Sequence, residues 1–374
     1  MTQSPRPTPE LLAELRKPRP YPVVSVTLPT HRHRPENQQD HIRLRNLLAE
    51  VSKRLTDDPD VPRAQAVAVH RQLAAAADGL DPEHFLDGLV VHASHDENAT
   101  YLLGTDVPER IVVGTTYLTR NLVAAAARER PYLALVLSSG EVRLWRGEGE
   151  RVTEDRDCGF PVITSAVERD GPPNREGDHG ATQDFHNMLT DADKLLTPLL
   201  QSENGLPVIL VGLRQHIATY REISRHGQAL AAEVEVGGLL NATPPELAAQ
   251  LAPARRRLTE ADGKDALSAL DEARSGRRFA GGVQDVWQAA GESRVALLLV
   301  EEGLRVTARP DTVEGAERAT LTLLEEGDAA GARGVEEDIV DSLVETVLGA
   351  DGKVVFVPDE TLGDAGGVAA ALRY

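Results

Sequence analysis

The segments YPVVSVTLPT (21–30), HRHRPENQQD (31–40) and HIRLRNLLAEVSKRL (41–55) follow one another near the start of the chain. An apolar stretch, Val23 to Leu28, stops at Pro29 and predicts a strand. Four consecutive bases, His31, Arg32, His33 and Arg34, occupy the polar loop behind it. Leu44, Leu47, Leu48, Val51 and Leu55 then recur at helical spacing. Strand, polar loop and amphipathic helix mark an α/β beginning. Up to residue 54 there are 10 Lys/Arg against 5 Asp/Glu, whereas the whole protein carries a net charge of −19.

Charge is graded along the chain. Residues 1–130 hold 16 basic and 17 acidic side chains and 7 of the 11 histidines. Residues 131–261 hold 13 and 19, and residues 262–374 hold 11 and 23. This gradient argues against a protein that wraps duplex DNA in a basic surface and allows a local nucleic-acid contact at the front. A single cysteine, Cys158, excludes an internal disulfide and a multi-cysteine metal site. The first 20 residues lack a signal-type apolar core, and no window reaches the ~18 apolar residues of a membrane span. A cytoplasmic protein without a membrane partner is expected.

A length of 374 residues predicts more than one domain. At the front, Thr8 caps a short helix with Pro9 at its first position. After the opening strand and helix, a second helix runs from Pro62 to about Ala77. Strands follow at 88–96, 99–104 and 110–114, and a helix over 116–130. From Pro131, strands are expected at 132–138, 141–146 and 150–157. Residues 168–181 read as a Gly/Pro-rich loop, followed by a helix over 182–200. A strand (206–212), a helix (214–224), a strand (233–238) and a helix after Thr243 complete this part. From Asp262, helices at 264–275, 279–290 and 334–348 alternate with strands at 294–303, 319–327, 353–358 and 368–374. The expected class is mixed α/β: an α/β N-terminal domain (1–130), a middle domain (131–261) with a mixed sheet, and an acidic α-β-α sandwich (262–374).

No Walker A, GxGxxG, HExxH, GxSxG or CxxC pattern occurs, which weakens the case for an ordinary enzyme. His92 and His95 fall at a strand end, where alternation sends them to opposite faces, so a polar strand end is preferred to a metal site. The bases between His31, His33 and His41 would repel a cation. No metal and no cofactor are expected. The loop reads either as facing phosphates or as solvated. In the first reading His31, Arg32, His33, Arg34, Gln38, Arg43 and Arg45 form an RNA-binding set. A second candidate is PPNREGDHGATQDFH (172–186), either an acid/base site or a surface linker. Its weak catalytic candidates are His179, Gln183 and Asp184, with Asp178 and His186 nearby.

Three stretches carry a family resemblance. They are VSVTLPTHR (24–32) with Asp40 and IRLRNLL (42–48), LALVLSSGEVRLWRGEGERV (133–152), and VVFVPDETLGDAGGVAAALRY (354–374). Together the chain resembles the archaeo-eukaryotic class-1 peptide chain release factors and Pelota, most nearly their bacterial branch. The resemblance implies a ribonuclease-H-like middle domain and a third domain similar to kink-turn binders. It also implies a tRNA-mimicking occupant of the ribosomal aminoacyl site. The first domain would face rRNA of the small subunit, and the middle domain the peptidyl-transferase region. The acidic third domain would meet factor-binding elements or a translational GTPase. Release factors use a Gly-Gly-Gln tripeptide, and this sequence contains none. Gln183 stands nearest to the corresponding loop, without the two glycines that bring backbone close to an ester. The expectation is a ribosome-binding, stress-response translation factor of hibernation or rescue. The alternatives are a peptidyl-tRNA hydrolase or RNA nuclease using residues 175–186, and a protein-interaction stress adaptor.

Overall fold

The structure is a computed structural model. It describes residues 8–164, 177–202, 205–311, 320–324 and 334–374. The chain forms two compact units, residues 1–127 with 263–374, and residues 128–262.

In the front part of the first unit, α1 (Pro9–Leu15) starts where the sequence predicts. Thr8 accepts a 3.2 Å hydrogen bond from the Leu11 amide, and proline occupies the first turn. β1 (Val23–Pro29), α2 (Asn37–Asp57), α3 (Arg63–Asp78), β2 (Gly88–Ala93), β3 (Asn98–Leu103) and β4 (Arg110–Gly114) follow, then α4 (Arg120–Arg128). The four strands form an antiparallel sheet in the order β3-β2-β1-β4. Strand alternation decides what each face meets. Val24, Val26 and Leu28 pack against Leu44, Leu47, Val51 and Leu55 of α2 and Val69 and Leu73 of α3. On the opposite face Ser25 and Thr27 are buried, and their hydroxyls bond to backbone. Ser25 Oγ accepts from Leu118 N–H at 2.9 Å, and Thr27 Oγ1 donates to Pro108 O at 2.5 Å.

In the second unit, β5 (Pro131–Leu137), β6 (Glu141–Glu148), β7 (Arg151–Asp155) and the two-residue β8 (Val162–Ile163) precede α5 (Gly177–Ser202). β9 (Val208–Gly212), α6 (Arg214–Ile223), β10 (Leu230–Glu235) and the start of α7 (Pro244–Ser275) complete it. The sheet order is β10-β9-β5-β6-β7, with β8 on β6. β5, β9 and β10 run parallel, and β6 and β7 antiparallel. Leu133, Leu135 and Leu137 meet α5 and α6 on one face. Ala134, Val136, Ile209 and Val211 meet Leu247 and Leu251 of α7 on the other. Gly147 is required by its neighbour, since a Cβ there would lie 2.1 Å from the Tyr132 ring.

The rear part of the first unit contains β11 (Phe279–Gly281), α8 (Val283–Gly291), β12 (Val295–Glu301), β13 (Ala308–Asp311), β14 (Thr320–Leu323), α9 (Ile339–Gly349), β15 (Lys353–Val357) and β16 (Val368–Leu372). Its sheet order is β11-β16-β12-β15, with β13 and β14 paired separately. Leu298, Val300, Val368 and Ala370 face α8 and α9, whereas Leu299, Ala369 and Ala371 face Ala266, Leu270 and Ala273 of α7. This is helix–sheet–helix layering. The first of these two cores also takes in Leu12, Val23, Val90, Tyr101 and Leu122, so the front and rear parts share one apolar interior.

Several boundaries differ from the sequence reading. The helix expected over 116–130 starts at Arg120, because an acceptor from α9 caps it there. The break expected near Asp262, between the helix after Thr243 and the helix over 264–275, is absent, and α7 runs through both Pro253 and Gly263. Phe279–Gly281 is an edge strand on β16 rather than the start of a helix, and Gly282 (φ 83°) separates it from α8. The rear helix starts at Ile339 rather than 334, because Glu336 to Asp338 are used in other contacts. β13 was not expected. Residues 325–327 of the strand expected over 319–327 lie outside the described residues.

Candidate nucleic-acid interface

The loop between β1 and α2 is held by three buried side chains. Thr30 donates its hydroxyl to Leu86 O (2.8 Å) and its amide to Asp87 O (3.0 Å). Asp40, in the first turn of α2, is completely buried and accepts the His31 amide at 2.7 Å and His31 Nδ1 at 3.0 Å. An acidic residue there also suits the positive end of the helix. Buried Asn37 donates to Pro82 O at 3.2 Å. A loop that is exposed at its tip is thus anchored at both ends.

Between these anchors the bases have protein partners. Arg32 makes a two-pronged pair with Asp87, both contacts at 2.7 Å. Arg34 pairs with Glu83. Arg43 reaches Glu109 at 2.9 Å and Asp40 at 3.6 Å. Arg45 lies 3.2 Å from His41. His33 and Gln38 are exposed. All seven residues named from the sequence belong to this loop and the first turns of α2. Three of the carboxylates opposite them, Glu83, Asp87 and Glu109, lie 49 to 66 positions away in sequence, so local charge counting missed them. The patch is therefore less positive than its own segment.

The second sequence candidate divides at the edge of the description. Residues 165–176 lie outside the described residues. From Gly177 onward the chain is helical, so the helix expected from 182 begins earlier and takes in residues 177–181 of the expected loop. Apolar residues at helical spacing drive this: Phe185, Met188, Leu189 and Ala192 pack on the sheet through α5. The side chain of His179 lies outside the described residues. Gln183 is exposed, and its amide donates to Asn187 Oδ1 at 3.1 Å. Asp184 is half-buried, and His186 stands edge-on to Phe185 at 6.5 Å. The preceding residue Thr164 is tied to Gly140 O (2.9 Å), just beyond the C-terminal end of β5. In open sheets the ends of parallel strands are where sites form.

A third cluster escaped the sequence reading altogether. Arg110 and Arg120, both buried, share Asp338, with Nη1 of each at 2.8 Å and 3.1 Å. They also donate to Gly303 O and Glu302 O, each at 2.9 Å. Asp341 Oδ1 accepts the amides of Thr119 (3.0 Å) and Arg120 (2.6 Å), capping α4 from α9. Thr119 Oγ1 donates to Glu345 at 3.0 Å, and Arg16 lies 3.8 Å from the same carboxylate. Burial, then the neighbouring Arg120, lowers Arg110 to about 10. Burial, reinforced by Glu336, raises Glu345 to about 7. Burial, reinforced by Glu345 and Asp338, raises Asp341. The only sequence signal was polar residues interrupting apolar stretches.

His92 is a core residue. Its ring stacks on Tyr117 at 4.5 Å, and Nε2 lies 3.1 Å from Leu118 O. Burial lowers it to about 3, so it is neutral and Nε2–H donates. Arg19 covers the other side of Tyr117 at 4.5 Å. Among the described residues no group of three or more His, Cys, Asp or Glu is placed to hold a metal ion. Among the same residues no helix is long and apolar enough to cross a membrane.

The second unit's sheet and the beginning of the rear part coincide with a family match. Residues 131–294 match the family described as bacterial archaeo-eukaryotic release factor family 3. The match lies in the middle of the chain and covers less than half of its 374 residues. The resemblance read from the three quoted stretches is to that same superfamily. No curated protein matches the chain. Among solved structures it is similar to the archaeal translation termination factor aRF1, at 18% identity over 98% of this chain and 96% of that one, TM-score 0.25. It is similar to ribosome-bound archaeal Pelota, described together with ABCE1, at 16% identity over 74% and 72%, TM-score 0.42. S. cerevisiae Dom34, described as interacting with Hbs1, matches at 14% identity over 75% and 73%, TM-score 0.35. The mixed α/β, multidomain class read from the sequence stands.

Proposed function

We propose that this release-factor-like chain is a ribosome-associated translation factor that acts by occupying the ribosome, in hibernation or rescue, rather than by releasing peptide. The match of residues 131–294 to the bacterial release-factor family carries the reading. The missing Gly-Gly-Gln tripeptide supports the second half of it. The front loop, with Arg32, Arg34, Arg43, Arg45, His31, His33 and Gln38, is the part assigned to rRNA phosphates. Segments 1–130, 131–261 and 262–374 are assigned separate roles: small-subunit contact, large-subunit contact, and a partner surface. The last segment, with 11 basic and 23 acidic residues, is the surface assigned to a protein partner such as a translational GTPase. The place of action is the cytoplasm, during stress.

The test is fractionation of ribosomes from growing and starved cells with the protein followed across the gradient. Co-migration with ribosomal particles, stronger in starved cells, is the expected result. Absence from every ribosomal fraction would sink the reading. A companion assay measures ester release from charged tRNA on purified ribosomes, and no release above background is expected.

A further inference from the structure

We propose that Glu83 and Asp87 guard the front loop, so that RNA binds there by displacing them from Arg34 and Arg32. This rests on the reading of the loop as RNA-facing and names what controls it. The guanidinium of Arg32 meets both oxygens of Asp87 through Nε and Nη2, each at 2.7 Å. The same fork geometry fits two oxygens of a phosphate. Arg34 and Glu83 are 65% and 64% exposed, which makes their pair the weaker of the two. Asp87 and Arg32 are 38% and 28% exposed and form the more protected pair.

The geometry separates holding from guarding. Asp40 and Asn37 are buried, fix the loop backbone, and need not move when a ligand arrives. Glu83 lies on the short turn Pro82–His84, whose first carbonyl also receives Asn37. Guard and base are therefore attached to the same anchored loop pair. A polyanion must exchange a phosphate for each carboxylate, so only a ligand with several closely spaced phosphates gains enough. The arrangement favours a structured RNA surface over isolated anions. The carboxylates lower affinity and raise selectivity, as unfavourable contacts with wrong partners do.

Full-length protein, purified ribosomes and a short unstructured RNA make the test. Association with ribosomes, with the short RNA and with polyglutamate is measured against salt for the parent, Glu83→Gln, Arg32→Ala, Arg34→Ala and the Glu83→Gln/Arg34→Ala double variant. Glu83→Gln should tighten ribosome association about 2- to 5-fold, the size of one exposed ion pair. It should also steepen the log–log salt dependence by up to ~0.9, the slope of one added phosphate contact. That gain should vanish in the Arg34→Ala background, since Glu83 acts through Arg34. No gain, or an equal gain without Arg34, overturns the guard. If neither Arg32→Ala nor Arg34→Ala weakens association, the RNA-facing reading of the loop has failed instead. If Glu83→Gln tightens binding to polyglutamate as much as to RNA, the partner is not RNA and the proposal is overturned. Asp87→Asn, checked for an unchanged thermal transition, should repeat the effect through Arg32.

Discussion

Arg34 and Arg120 belong to the same compact unit and both face carboxylates, but at opposite ends of the scale of solvent exposure. The Arg34–Glu83 pair is 65% and 64% exposed, whereas Arg120 and Asp338 are each 1% exposed. In water the first pair is worth about 0–1 kcal/mol and can be exchanged for another anion. In the interior, removing Asp338 leaves two buried guanidinium charges whose remaining partners include the backbone carbonyls of Gly303 and Glu302. The same chemistry therefore gives a replaceable contact in the front loop and a fixed fastening between α4, β4 and α9. Function that needs exchange belongs to the first, and cohesion of the unit to the second.

Removing Asp338 should have the largest effect. Asp338→Ala leaves Arg110 and Arg120 buried together without an anion. The loss of stability should be about 3–5 kcal/mol, read as an earlier transition in urea and as loss of hydrogen-exchange protection in β4 and α4. A change below about 1 kcal/mol would show that water reaches the cluster. Asp341→Ala should come next. It orphans the amides of Thr119 and Arg120 at the start of α4 and should cost about 1–3 kcal/mol, with fraying confined to that helix.

The third effect is one of pH. The folded-state value of Glu345 is raised to about 7, above that of a free carboxyl. A raised acid adds stability that is present below its ordinary range and is lost as pH rises through about 7. Between pH 5 and 8 the unfolding free energy of the first unit, read from urea titrations, should therefore fall, by no more than ~1.4 kcal/mol per pH unit for this group. Glu345→Gln should flatten that dependence, and an unchanged slope would remove Glu345 from the account. The smallest effect on stability is expected at the front. Arg34→Ala should alter the unfolding free energy by less than ~0.5 kcal/mol while weakening ribosome association. A large loss of stability there would contradict the exposure of the pair.

Much of the fold was legible from period alone. Val24, Val26 and Leu28 alternate, and Leu44, Leu47, Val51 and Leu55 recur by helical turns, so β1 and α2 lie close to where they were expected. The start of α4 was not legible. The side chain that ends its N-terminal turn is Asp341, more than 200 residues away. Phe279–Gly281 read as helix because apolar and small residues there suit either element, and pairing with Ala369–Ala371 decided the strand. At the candidate site the bases were visible and their partners were not. Glu83 and Asp87 look like ordinary turn residues until the fold brings them to Arg34 and Arg32.

By itself the sequence determined the local elements, the basic loop, the acidic rear, the missing tripeptide and the resemblance to release factors. These depend on neighbours within a few positions or on residue identity alone. Only the tertiary structure decided which of those charges are available. It set Arg34 in water and Arg110 and Arg120 in the interior, and it merged the front and rear parts into one unit. The physical reason is that an ion's energy depends on the dielectric and the counter-charge around it, and both are supplied by residues distant in the chain.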